Sequence, residues 1–380
     1  MVATLTPKHT IVLSHTLRSV ALSFVSVYIP IFLLVQGKSL PEVIVFYMIF
    51  HGMGLVATLT VLPWVFGRFG LVRSIQLYFF VEVAYLLLLH FYLSDASIYW
   101  LAALGGVANM IYWIPKNILF LNHSELKTMG SDLGWFMGMP KISGVVGPIV
   151  AALVIPLFGF QPLFIISCLG LMIPGLLLTR LPEMEKHISI SVPKALPRLI
   201  RERKIFTLEF FDNIIEEAEW YWPIFVYLAL GSISFPGYIG AVSAIAGFLF
   251  SVTVGKMSNT REHSVLLASG ALMALISFAR VVSPENEIIY LGITFGASFV
   301  SLAFLNSYFT LIYRKIKRTE VDNAEFMIIR EIPTIVARLV VFGTILLVAT
   351  QEFFLLPIVA LVVLLAYLRF AFSRERAAVV

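Results

Sequence analysis

The sequence predicts an all-helical membrane protein with twelve transmembrane helices. Three observations carry that prediction. The 380 residues are 59% hydrophobic and 13% charged, with a mean hydropathy of +0.94; a soluble domain is about 45–50% apolar and about 25% charged. The apolar residues fall in runs long enough to cross a bilayer core of about 30 Å. The basic residues fall almost entirely in the gaps assigned to one side of the membrane. Such a composition excludes a soluble enzyme, a disordered chain and a disulfide scaffold. Cys168 is the one cysteine, which removes intrachain disulfides and Cys-based metal sites. The net charge of +5 is accounted for by basic loops at a membrane face, so no nucleic-acid partner is expected.

The elements follow in order. A short polar start, Met1 to Thr10, precedes the run 11–35, which is long enough to span and lacks the pattern of a cleavable signal. Runs at 43–66, 73–93, 97–120, 132–157 and 161–180 come next, separated by polar and Gly/Pro-containing turns. The segment 181–205 is polar, with Pro182, Pro193, Pro197 and a basic cluster from Arg198 to Lys204. It reads as a solvated cytoplasmic linker with a minor affinity for anionic headgroups. Further runs lie at 206–230, 236–257, 263–283, 287–313, 324–349 and 353–371. No gap holds a soluble domain. Barrel strands would be about 10 residues of alternating polarity, so helices are the expected element. The expected organisation is a six-helix bundle over 1–180, a linker over 181–205 and a second six-helix bundle over 206–380.

Orientation follows from charge. With both termini cytoplasmic, Lys8, Arg68, Arg73, Lys127, Arg180, the linker bases, Lys256, Arg261, Arg314, Lys315, Lys317, Arg318, Arg369, Arg374 and Arg376 all lie inside. Of the 27 Lys and Arg residues, only Lys38 and Arg280 are expected outside, while Arg18, Lys116, Lys141, Arg330 and Arg338 fall within spans. A multi-pass protein of the cell (inner) membrane is expected.

Charge at membrane depth is costly, about 2.5–3.5 kcal/mol per residue on insertion scales, and marks partners or water-filled cavities. The seventh run is the richest in it. Asp212, Glu216 and Glu219 share one helical face at i, i+4 and i+7, with Asn213, Glu217 and Trp220 on the neighbouring stripe. Entering near Phe206, the chain would carry Glu216, Glu217 and Glu219 roughly 15–20 Å deep. Carboxylates so close do not all stay ionised in a low dielectric, so at least one is expected to exchange a proton. A start nearer 214 is the alternative. It would leave Glu209 and Asp212 interfacial and Glu216 or Glu217 paired with a structural Arg. Basic counterparts are Arg18, with His15 three residues before it, Lys116, Lys141, Arg330 and Arg338; Glu331 lies seven residues before Arg338. Static interhelical pairing is the alternative role for each, and Lys116 and Arg330 lie close enough to the cytoplasmic ends to snorkel. His51, Glu82, Asn109 and Asn306 stand alone in apolar runs. No phosphate-binding loop, His-Glu-x-x-His or Arg array is present, so no nucleotide, metal or other cofactor is expected.

Twelve spans split six and six, inside termini and a basic central loop resemble the major facilitator superfamily over nearly the whole chain. Pro63-Trp64-Val65-Phe66-Gly67-Arg68-Phe69-Gly70 with Arg73 is similar to that family's Gly-x-Leu-Ala-Asp-Arg-x-Gly-Arg loop: Arg68 and Gly70 match, while Pro63 and Gly67 replace Gly and Asp. The second half carries Gly255-Lys256-Met257-Ser258-Asn259, with Asn for Asp. The resemblance implies that Arg68, Gly70, Arg73, Gly255 and Asn259 belong to cytoplasmic gate loops whose charge latch lacks its Asp in both copies. Gly144-Val145-Val146-Gly147-Pro148 looks like the Gly-Pro signature of family exporters, with close packing of small residues as the plain alternative. Tyr28-Ile29-Pro30 and Trp222-Pro223-Ile224-Phe225 fit a distant internal repeat. The resemblance also implies a central cavity that Arg18, Lys116, Lys141, Glu216 and Arg338 approach. With Asp212, Glu217, Glu219, Trp220 and Glu331 these are the candidate substrate and proton-coupling residues. It implies a monomeric, proton-coupled secondary transporter that moves a small organic solute by alternating access. An uncoupled facilitator, or a non-transporting receptor or assembly protein of the same fold, is the alternative. An enzyme is not expected.

Overall fold

The computed structural model describes residues 6–182, 197, 200–318 and 323–377, and every regular element among them is a helix. Most of the expected linker, residues 183–196, 198 and 199, lies outside the described residues, as do 319–322. Helix α1 (Pro7–Ser23) starts with Pro at its first position and Thr6 as cap, whose hydroxyl accepts from the His9 N–H. Turns at 24–28 separate it from α2 (Ile29–Val35); Pro30 has no N–H to give back to the preceding turn, so the expected run 11–35 is broken. A Ser39–Glu42 capping box opens α3 (Leu40–Thr60), satisfying two otherwise orphaned donors. Pro63 likewise divides the run 43–66, making a separate α4 (Leu62–Phe69). Then come α5 (Leu71–Phe91), α6 (Ile98–His123), α7 (Met129–Gly138), a 3-10 turn over Met139–Ile142 at Pro140, α8 (Ser143–Phe158) and α9 (Gln161–Leu177). After the linker follow α10 (Arg203–Leu230), α11 (Phe235–Val282), α12 (Glu287–Arg318), α13 (Asn323–Leu347) and α14 (Leu355–Ala377).

Among the described residues, eight segments are long and apolar enough to cross a membrane: α3, α5, α6, α7–α8, α9, α11, α12 and α14. The chain is a multi-pass helical membrane protein. Its outward apolar side chains, such as Leu157, Leu169, Leu176 and Val359, are exposed, as a lipid-facing surface requires.

Helix α11 has 48 residues, which if straight would reach about 72 Å, over twice a bilayer core. It bends at Arg261, whose φ of −136° and ψ of 32° are not helical. The contacts show a hairpin. Along the first limb Ser243 meets Ser298, Ser258 meets Ser307 and Glu262 meets Arg314, so this limb runs parallel to α12. The second limb returns, bringing Ile276 against Gly296. The bend coincides with the polar stretch from Lys256 to His263, which has no place in hydrocarbon.

Helices α10 and α13 are parallel and in constant register. Arg330 pairs with Glu209, Asn213 donates to Thr334 and Arg338 pairs with Glu217. Each step advances four residues on both helices, about 6 Å. Two parallel helices require an odd number of crossings between them, and the two limbs of α11 plus α12 supply three.

Close approaches need glycine at two kinds of site. A Cβ on Gly106 of α6 would overlap the Phe50 carbonyl of α3. In the Gly144–Pro148 stretch, Gly144 faces Ala244 and Gly147 faces Ser23, so both glycines bring α8 against α11 and α1.

Candidate functional site

The interior gathers charge from most of these helices. On α10, Glu209 is fully buried and its carboxylate lies 2.7 Å from Arg330 Nε; Glu217 Oε2 lies 3.0 Å from Arg338 Nε. Between these rungs the Asn213 amide donates to Thr334 at 3.2 Å and to the Glu209 carbonyl at 2.9 Å. Asp212 is fully buried, and neither carboxyl oxygen has a hydrogen-bond partner among the described residues. Glu331 is buried beside Arg330. Helix α10 therefore enters the protein well before residue 214, and Glu209 and Asp212 are core residues, not interfacial ones. Arg330 does not snorkel; Glu209 holds it inside.

Arg280 and Glu219 form a further pair. Their two hydrogen bonds are 2.6 and 2.7 Å, and the guanidinium lies 4.7 Å from the Trp222 ring centre. Arg280 is 1% exposed. It is therefore a helix residue turned inward near the end of α11, which continues to Val282 before its cap. Carboxylate pairing gives Glu217 and Glu219 separate partners. Glu216, between them, is exposed and has no ion pair among the described residues.

The chain before the linker touches this set through α3. His51 Nε2 lies 3.8 Å from Glu217 Oε1. One turn away, Tyr47 meets Trp220 edge-on at 4.3 Å, and Phe342 of α13 stacks on both Tyr47 and His51.

A second cluster is cationic and aromatic. Arg18 of α1 donates to the Tyr78 hydroxyl of α5 at 2.7 Å and lies 4.0 Å from the Tyr112 ring centre of α6. Glu82, one turn beyond Tyr78, is within electrostatic reach. His15 shares a 2.8 Å hydrogen bond with Tyr112. Lys116 is 3% exposed; its ammonium lies 3.5 Å from the Trp113 ring centre and 4.7 Å from that of Phe136. Among the described residues no carboxylate comes within ion-pair distance of Arg18 or Lys116. Lys141 lies in the 3-10 turn, its methylenes along Gly247, yet it is exposed. Glu216 is within electrostatic reach of both Lys116 and Lys141.

At the end bearing the basic loops, Asn259 Oδ1 accepts from the Gly130 and Ser131 N–H groups at 2.8 and 3.2 Å, so it caps α7. Gly255 packs on Gly130 and Gly134. Arg314 donates to the Asn259 and Leu126 carbonyls, Lys317 to the Ser124 carbonyl, and Asn323 to Asn122. An amide thus performs the helix-capping contact although the Asp is missing. In the first-half loop Gly70 has φ +80° and ends α4, while Arg68 and Arg73 are exposed.

Glu82, His51, Arg280 and Glu209 are the site residues the sequence did not single out. A lone charge in an apolar run was the available signal for Glu82 and His51. Nothing in the sequence pairs Arg280 with Glu219, 61 positions apart.

No protein-family model matches the sequence, and no curated protein matches it. Solved structures do match in shape. A bacterial homologue of the iron transporter ferroportin in its outward-facing state superposes with a TM-score of 0.69 at 13% identity, over 97% of this chain and 100% of that one. The E. coli fucose:proton symporter gives 0.70 at 12% identity, over 96% of this chain and 98% of that one. The same symporter, described as a major facilitator superfamily transporter in the outward conformation, gives 0.68 at 12% identity over the same shares. By this superposition over nearly the whole chain, the protein has the fold seen in those major facilitator superfamily structures.

Proposed function

We propose that the protein is a proton-coupled secondary transporter of a small organic solute, working by alternating access in the cell (inner) membrane. Twelve crossings are obtained by adding α1–α2, α10, α13 and the second limb of α11 to the eight apolar spans. The first three are interrupted or charged, which keeps them out of the eight long apolar helices. The six crossings before the linker and the six after it form the two moving halves, and both termini lie on the basic, cytoplasmic side.

One observation carries the reading: Glu217 touches Arg338 in its own half and His51 in the other. A carboxylate shared between two halves converts a proton into relative motion. Ionised, it attracts Arg338 and the polar edge of the His51 ring on α3. Neutral, it loses both attractions, and the equilibrium between arrangements shifts by that difference. The fucose symporter is named for proton coupling, which supports the same chemistry here. Arg68, Gly70, Arg73, Gly255 and Asn259 form the gate loops, with the Asn259 cap on α7 as one contact that opens and closes the cytoplasmic end.

The test is solute-driven proton movement in proteoliposomes carrying a pH-sensitive dye. Glu217→Gln is expected to abolish proton movement while solute counterflow continues; Glu219→Gln, whose carboxylate is held by Arg280, is expected to keep it. A Glu217→Gln variant that still responds fully to the gradient removes Glu217 from coupling.

A further inference from the structure

This inference rests on the carrier reading and deepens it. The interior holds unpaired charge of both signs, on different helices. Arg18 and Lys116 share the same two rings: Arg18 lies 4.0 Å from Tyr112 and 5.8 Å from Trp113, and Lys116 lies 5.9 and 3.5 Å from them. Ring faces hold cations in place but do not neutralise them. Both side chains are more than nine-tenths buried; Glu82 is within electrostatic reach of Arg18, but among the described residues no carboxylate comes within ion-pair distance of either base. Within electrostatic reach of Lys116, through Glu216, α10 has the opposite imbalance. Its three Arg partners already hold Glu209, Glu217 and Glu219, leaving Glu216 exposed and unpaired and Asp212 buried and unpaired one turn before it.

A lone anion would satisfy Arg18 and Lys116 but face the surplus carboxylates. A lone cation would satisfy Glu216 and face the two bases. A neutral sugar leaves both unpaired. We propose that the transported solute is a small zwitterion, a free amino acid in chemical class, with its carboxylate at Arg18 and Lys116 and its ammonium at Glu216. Such a solute adds no net charge to the interior, and it leaves Glu217 free to carry the proton.

The experiment uses the full chain in proteoliposomes, with counterflow and thermal-shift readings on one panel. The panel holds the twenty free amino acids, their N-acetyl derivatives, their methyl esters, benzoate and neutral hexoses. At least one free amino acid is expected to stimulate counterflow ten-fold or more over its own N-acetyl and ester forms. Lys116→Met is expected to erase the preference over the ester, and Glu216→Gln the preference over the N-acetyl form. Where Lys116→Met fails to fold, Lys116→Arg is expected to retain the preference, and the wild-type comparison of the three forms decides. Equal response to the derivatives, or no amino acid bound or carried, overturns the inference. Counterflow of a hexose or benzoate alone overturns it while leaving the carrier intact. An amino acid that raises the melting temperature while nothing crosses overturns the carrier reading and leaves the zwitterion site standing.

Discussion

Glu217 and Arg338 face each other at 3.0 Å across two parallel helices. They form the last of three polar rungs in one register, with Asn213–Thr334 and Glu209–Arg330 behind them. Each helix repeats its polar residue every fourth position, so one narrow stripe on α10 meets one narrow stripe on α13. The lower rung is dry and the upper one reaches across to His51. This division separates a structural pair from a working one, and it can be tested at both rungs.

At the lower rung, Arg330→Ala is expected to destabilise the protein by about 3–5 kcal/mol, because Glu209 would keep a buried charge without its partner. The double variant Glu209→Ala/Arg330→Ala is expected to lose less than the sum of the singles. Thermal unfolding in detergent reads both. Additive losses would mean that the two residues are not coupled.

Gly106→Ala is expected to cost about 1–3 kcal/mol by overpacking, since the new methyl would meet the Phe50 carbonyl and force α3 from α6. Gly292→Ala, where nothing lies within 4 Å, is expected to stabilise by about 0.4–1 kcal/mol through the unfolded state. Melting temperatures moving in opposite directions check the contrast.

Asn259→Ala removes the cap from α7 and is expected to cost about 0.5–2 kcal/mol. Asn259→Asp places an anion at the same helix start, where it is favoured, and close to Arg314. It is expected to raise stability and slow counterflow by holding the cytoplasmic end shut. A faster Asp variant would remove this contact from gating.

Cys168 is the single cysteine and is buried. In a Cys168→Ala background, Glu216→Cys is expected to react with a charged, membrane-impermeant thiol reagent, because position 216 is exposed in mid-helix. Asp212→Cys, fully buried, is expected to react far more slowly. Equal protection of both would mean that Glu216 does not face water.

Sequence periodicity located the chemistry on α10 because helical spacing is a local property. Asp212, Glu216 and Glu219 must share a face wherever the helix sits. Which acid meets which base is not local. The ladder joins residues 121 positions apart, and its register depends on how two parallel helices slide against each other. Pro30, Pro63 and Pro140 break runs that hydropathy reads as continuous, while the polar stretch around Arg261 announced the hairpin turn. The partner of Arg280 was not legible, since a basic residue near the end of an apolar run looks alike whether it turns to solvent or to a carboxylate.

By itself the sequence determined that this is a helical membrane protein, where its helices run and which of them carry charge, because the cost of polar groups in hydrocarbon is written into composition and period. Tertiary structure decided the partners: Glu217 with Arg338 and His51, Glu219 with Arg280, and Arg18 and Lys116 on shared rings with no acid at ion-pair distance among the described residues. Those choices arise from packing between distant helices, where a few ångströms of offset determine whether a charge is neutralised or left for a guest.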